Sequence, residues 1–195
     1  MTSPLDNEVP TEIEAVREKA AGSSFYSAMP VGRFVLDVHG EDRALWPKSD
    51  ALCAALQVIN HLQDCGKDFR ALNRVYLPLD SLGRAGAAPE DLGRKVASEA
   101  VLTVIHEISQ KTAALLAEAR PFSDLITDGR LALEVSVIQA LAEDLNLRLL
   151  ERDPLCEQVH HRKSEVLGVA ARATVGFVGR RVRSKTRPRS FARQP

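Results

Sequence analysis

Five side chains in one stretch of this 195-residue sequence carry groups that ligate cations or bind polar substrates: Gln57, Asn60, His61, Asp64 and Asp68. Their spacing of i, i+3, i+4, i+7 and i+11 confines them to about a third of a helix circumference at 100° per residue. Leu52, Ala55, Leu56, Ile59 and Leu62 fall on the opposite side, where a core-facing stripe belongs. A solvated face normally carries Lys and Glu in compensating pairs. This one offers two amides, an imidazole and two carboxylates, with Lys67 only at its margin. Asp64 and Asp68 are four residues apart, so their Cβ atoms lie about 5–6 Å apart and the like charges mildly destabilise the helix. A divalent cation removes that penalty. Mg²⁺ suits such a pair because it takes oxygen ligands, keeps several waters and is held by one or two carboxylates plus substrate phosphates. Spacing alone leaves both readings open, a solvated acidic face and a metal site.

The element that positions these groups is a long helix from Pro47 to about Arg70, with Pro47 and Ser49 as start signals. Before it, residues 10–21 read as a short helix, and 22–40, interrupted by Pro30, Gly32 and Gly40, as a kinked helix or helix-loop-helix. After it, residues 73–93 contain prolines and glycines that predict an extended loop with short turns. Apolar periodicity predicts further helices over 95–119 and 130–150, and a last one from about 155 into the 170s. Abundant Leu and Ala with few aromatics favour helices over sheets, so the fold class is all-α.

Composition excludes several functions. With 45% hydrophobic and 27% charged residues the chain has the makings of a core, which argues against wholesale disorder. No apolar run approaches the roughly 18 residues of a membrane span, and the acidic N-terminus has no apolar signal core. A cytoplasmic protein, peripheral to the membrane at most, is expected. Cys53, Cys65 and Cys156 lack CxxC spacing, so reduced and mostly buried thiols are expected rather than disulfides or a zinc site. Zero net charge hides a division: residues 180–195 hold seven basic residues and no acid, leaving 19 basic against 26 acidic in residues 1–179. Such a tail reads as a disordered terminus or as a contact for anionic lipid head groups. Sparse aromatics and an acidic body argue against nucleic-acid binding.

The wording of the central segment is more specific than its spacing. ALQVINHLQDCGKDFRALNRVYLPLD (55–80) closely resembles the second aspartate-rich motif of the squalene/phytoene synthase family, the head-to-head prenyl transferases. SAMPVGRFVLDVHG (27–40), SDALCAALQVINHLQDCGKD (49–68) and DPLCEQVHHRKSEVLG (153–168) are most similar to the hopanoid-pathway branch of that family. The resemblance implies an isoprenoid-synthase helical fold. In that family two Asp-rich helices face each other across a central cavity and hold Mg²⁺ against the diphosphate of a prenyl diphosphate, farnesyl or presqualene diphosphate. Carried over residue by residue, Asp64 and Asp68 become the catalytic, metal-binding carboxylates. Gln57, Asn60, Arg74, Tyr76 and Ser24 become substrate-binding residues. The implied reaction ionises presqualene diphosphate to give hydroxysqualene or squalene, with His61 either beside the water-capture step or structural.

The resemblance divides the chain into residues 1–29, similar to a family first helix, 30–179, similar to the C-terminal part of the synthase domain, and the basic tail 180–195. The first motif, of DDxxD type, has no counterpart among Asp6, Glu8, Glu12, Glu14 and Glu18. TEIEAVREKAAGSSFYSAM (11–29) resembles the first helix of sister presqualene diphosphate synthases. Together these imply an internal deletion or fusion near Ser27–Met29, with little turnover by the chain alone. Two classes of function follow from the sequence: an Mg²⁺-dependent enzyme acting on a prenyl diphosphate, and a non-catalytic helical remnant or binding subunit. Nothing in the sequence fixes the oligomeric state.

Overall fold

The structure, a computed structural model, describes residues 25–186. Ser24, expected to bind substrate, and the helix expected over 10–21 lie outside the described residues. Among the described residues every regular element is helical: α1 (Phe25–Val38), a 3₁₀ turn (Arg43–Leu45), α2 (Trp46–Leu72), α3 (Leu79–Ala85), a second 3₁₀ turn (Pro89–Gly93), α4 (Glu99–Ala119), α5 (Phe122–Leu125), α6 (Gly129–Leu149) and α7 (Lys163–Thr186).

The 27-residue α2 is the spine. It packs against α1, α4 and α6, while α7 lies along α6. Its apolar stripe makes this possible: Leu52, Ala55, Ile59 and Leu62 are buried, and Leu56 packs at the edge of the same core. Burying one such aliphatic side chain contributes about 1.5–3 kcal/mol, so the stripe supplies the force that holds the opposite, polar face at the surface. Two glycines let neighbouring segments come close to this helix. A Cβ on Gly32 of α1 would stand 2.6 Å from Ser49 Oγ and 2.7 Å from Cys53 Sγ, and one on Gly66 would stand 2.9 Å from Leu155 Cγ.

Caps set the helix limits. Ser98 Oγ accepts from the Val101 amide at the start of α4, and Asp128 Oδ1 accepts from the amides of Arg130 and Leu131 at the start of α6. Buried Glu41 ties the turn after α1 to the turn before α6: it accepts from the Thr127 amide and hydroxyl and from the Asp128 amide at 2.7–3.0 Å.

Three expectations need adjustment. Of the two forms expected for 22–40, the helix-loop-helix is not adopted: its described part is a single helix from Phe25 to Val38 with Pro30 inside it, and Gly40, at φ 68°, ends that turn of chain. Residues 73–93 hold the short helix α3 and a 3₁₀ turn rather than only extended loop. The last helix begins at Lys163, not near 155, and continues to Thr186, into the basic stretch. Its late start has a local cause, because Asp153 is committed to loop geometry: Oδ1 accepts from the Leu155 amide and Oδ2 from the Ala97 amide, both at 2.8 Å.

Candidate functional site

The polar face of α2 is where the spacing put it. Gln57, His61, Asp64 and Asp68 are all partly exposed, and Asn60 is exposed. What completes the site is the reversal after the helix. Asn73 adopts the left-handed conformation (φ 53°), its amide bonding to Phe69 O and the Arg74 amide to Asp68 O. The chain therefore folds back along the face it has just left, returning Arg74 and Tyr76 to it.

Tyr76 then makes two contacts. Its ring stacks on His61 with centroids 4.2 Å apart and planes 1° from parallel. Its hydroxyl donates to Asp68 Oδ2 at 2.7 Å. That bond to Asp68 raises the phenol pKa, reinforced by burial and opposed by the Arg74 side chain beside it, so Tyr76 is a hydrogen-bond donor at neutral pH. Gln57 Nε2 lies 3.1 Å from His61 Nε2. Burial lowers the His61 pKa against the opposing pull of Asp68 and Asp64, so the imidazole is neutral at pH 7.

The carboxylates are only lightly committed. Asp64 has one loose contact, Lys67 Nζ at 3.5 Å from Oδ1 with both side chains well exposed. Asp68 spends one oxygen on Tyr76 and keeps the other. Oxygen donors from two carboxylates on one helix face, one of them oriented by a tyrosine, fit a hydrated Mg²⁺ that completes its shell with water and phosphate oxygens. Among the described residues no cluster of three or more His, Cys, Asp or Glu side chains forms a self-sufficient metal cage.

A second wall stands beside Asp64. Gln63, buried next to it in sequence, donates from Nε2 to Val159 O and lies 3.0 Å from His160 Nδ1, pinning the 153–162 loop to α2. Gly66 gives Leu155 the room to approach. The result is a cleft of about 210 Å³ lined by Asp64, Lys67, Arg70, Cys156, Gln158 and His160 among others. Sequence reasoning assigned no role to Gln63 or His160, although the segment that carries His160 was one of the three resembling stretches. The burial expected of the cysteines holds for Cys65, whose thiol is pushed up to about 12 by desolvation, while Cys53 is half-buried. Cys156 is exposed, because it sits in the pinned loop and not in a helix.

The arrangement of an Asp-x-x-x-Asp face, an Arg-x-Tyr return and an all-helical scaffold can be compared with known proteins. The squalene/phytoene synthase family model matches residues 24–165. The chain belongs to the squalene/phytoene synthase family. Its curated relatives in that family include the hydroxysqualene synthase of Zymomonas mobilis, 56% identical over 77% of this chain and 51% of the relative. Another is the hydroxysqualene synthase of Rhodopseudomonas palustris, 58% identical over 72% of this chain and 48% of the relative. Among solved structures, the squalene synthase HpnC from Alicyclobacillus acidocaldarius superposes with a TM-score of 0.62 at 34% identity, over 71% of this chain and 51% of that one. The helical scaffold is thus the isoprenoid-synthase fold of the squalene synthases. The chain spans about half the length of the curated relatives it matches.

Proposed function

We propose that this synthase-family chain acts in squalene or hopanoid biosynthesis, in the Mg²⁺-dependent ionisation of presqualene diphosphate. The observation that carries the reading is the linked set of Asp68, Tyr76 and His61, with Asp64 on the same face of α2, in a chain 56% and 58% identical to two hydroxysqualene synthases over the 77% and 72% of its length that they match. Mg²⁺ held by Asp64 and Asp68 would supply Lewis-acid stabilisation of the departing diphosphate. Tyr76 holds Asp68 through its 2.7 Å hydrogen bond to Oδ2 and leaves Oδ1 for a ligand. Arg74 and Asn60, exposed on the same side, are available to the diphosphate oxygens, and the Arg guanidinium suits them through its paired donors.

Loss of diphosphate leaves a carbocation. Addition of water forms a C–O bond and releases a proton, which the neutral imidazole of His61 can accept. Gln57, within hydrogen-bonding distance of His61, holds the ring, and the Tyr76 stack fixes its plane. Among the described residues no helix is long and apolar enough to cross a membrane. The arginines at the end of α7 suit a peripheral position at the bilayer that holds so apolar a substrate.

The test is an assay of diphosphate release from presqualene diphosphate with and without Mg²⁺, on wild type and on Asp64→Asn/Asp68→Asn. Metal-dependent release or binding that the double substitution removes supports the reading. Its absence in the wild type leaves a helical binding subunit as the function.

A further inference from the structure

Where α6 and α7 meet the α4–α5 corner lies a cleft of about 530 Å³ that shares no lining residue with the Asp64/Asp68 face. Its walls are small and largely apolar, from Ala117, Pro121, Ala140 and Ala173. Its lining also includes three polar residues that are more than nine-tenths buried: Ser123 (4% exposed), Ser136 (6%) and Gln139 (8%). Of the three, only Gln139 has a fully buried side-chain atom without a partner. Gln139 donates from Nε2 to Leu116 O and Glu143 Oε1, which leaves its buried Oε1 without a partner. Buried polar groups are rarely left unsatisfied, so the Gln139 side-chain carbonyl, in a cleft also lined by two serines, asks for a ligand with hydroxyls.

The rest of the lining supplies the charge. Arg120 gives Nε and Nη2 to Glu143, and Arg180 gives only Nε to Asp124, so the remaining guanidinium donors of both stay available. Arg172 has no acidic partner, which leaves one net positive charge among the five charged groups of the cleft. Gly176 also lines the cleft, where an added Cβ would stand at ordinary contact distance, 3.6 Å, from Arg180 Nη1.

We infer that this cleft binds a small anionic group carrying hydroxyls, of the phosphoglycerol class, with its hydroxyls on Ser123, Ser136 and Gln139 and its phosphoryl oxygens on Arg172, Arg120 and Arg180. Such a group exists both as a soluble ester and as the head group of an anionic lipid. The volume falls in the range of small-molecule sites.

The experiment uses the full chain in Mg²⁺-free buffer, with glycerol 3-phosphate titrated calorimetrically and flotation with phosphatidylcholine vesicles containing or lacking phosphatidylglycerol. Two variants probe the cleft. Arg172→Gln removes the unpaired charge and should weaken binding about tenfold. Gly176→Leu fills the mouth and should abolish binding while keeping the helix, since Leu is the better helix former. Binding of the free ester that Arg172→Gln weakens and Gly176→Leu abolishes identifies a soluble ligand; binding confined to phosphatidylglycerol vesicles with the same response to the two variants identifies a head-group site. If neither probe binds saturably, or if both variants bind as wild type does, the inference is overturned, the second result assigning any vesicle binding to the basic C-terminal stretch alone.

Discussion

Tyr76 donates a 2.7 Å hydrogen bond to Asp68 while its ring lies flat on His61, so one side chain couples the acidic pair to the imidazole. The coupling depends on Asn73, whose left-handed turn brings residue 76 back to a helix that ended at Leu72. Tyr76→Phe keeps the stack and removes only the hydrogen bond. Mg²⁺ affinity measured by calorimetry in the presence of diphosphate should fall about tenfold, the usual cost of losing an outer-shell partner, with thermal stability nearly unchanged.

His61 is assigned to the proton released on water addition, not to ionisation. His61→Phe should therefore leave Mg²⁺-dependent diphosphate release within a few-fold of wild type. Product analysis should show the alcohol replaced by alkenes. Equal alcohol yields from variant and wild type would remove His61 from that role.

Gln63 holds the loop that walls one side of the Asp64 cleft, through Val159 O and His160. Gln63→Leu leaves a buried carbonyl without its donor, and chemical denaturation should report a loss of about 1–3 kcal/mol. Proteolysis should shift toward residues 153–162. The same cleft presents Cys156 while Cys65 is buried with its thiol pushed up to about 12, so a thiol reagent at pH 8 should label Cys156 first.

Glu41 makes stability pH-dependent. Desolvation favours its neutral form, but the amides of Asp128 and Thr127 and the Thr127 hydroxyl outweigh this and hold its carboxyl below the ordinary range. A depressed folded-state pKa means that stability is fully present above the unfolded value, about 4.3, and is lost as pH falls through the lower folded value. Asp144 adds to the same window, its carboxyl lowered by Arg148 and His161 against desolvation. Thermal melts of Glu41→Gln should be lower than wild type at pH 7 and should converge on it as the pH falls through the lowered value of the folded Glu41 carboxyl.

The long helix, its buried stripe and its polar face were legible because periodicity and burial share one cause, the 3.6-residue turn. The return of Arg74 and Tyr76 to that face was reached through resemblance, and its cause, a left-handed Asn73, is a tertiary choice that Asn permits but does not announce. The start of α7 at Lys163 was misjudged because apolar and polar residues in 155–162 mimic a helix. Asp153 and Gln63 capture that segment as a loop through partners that lie as many as 97 residues away in sequence. The cleft around Arg172 has no local pattern at all, since its residues come from four helices and the corner between two of them.

The central claim is that Asp64 and Asp68 hold the metal that binds a prenyl diphosphate. Calorimetric titration of presqualene diphosphate into the full chain, with Mg²⁺ and with EDTA, tests it most directly. The account predicts saturable binding with Mg²⁺ that weakens at least about tenfold in EDTA and equally in Asp64→Asn/Asp68→Asn with Mg²⁺ present. Binding of equal strength in all three conditions would contradict it.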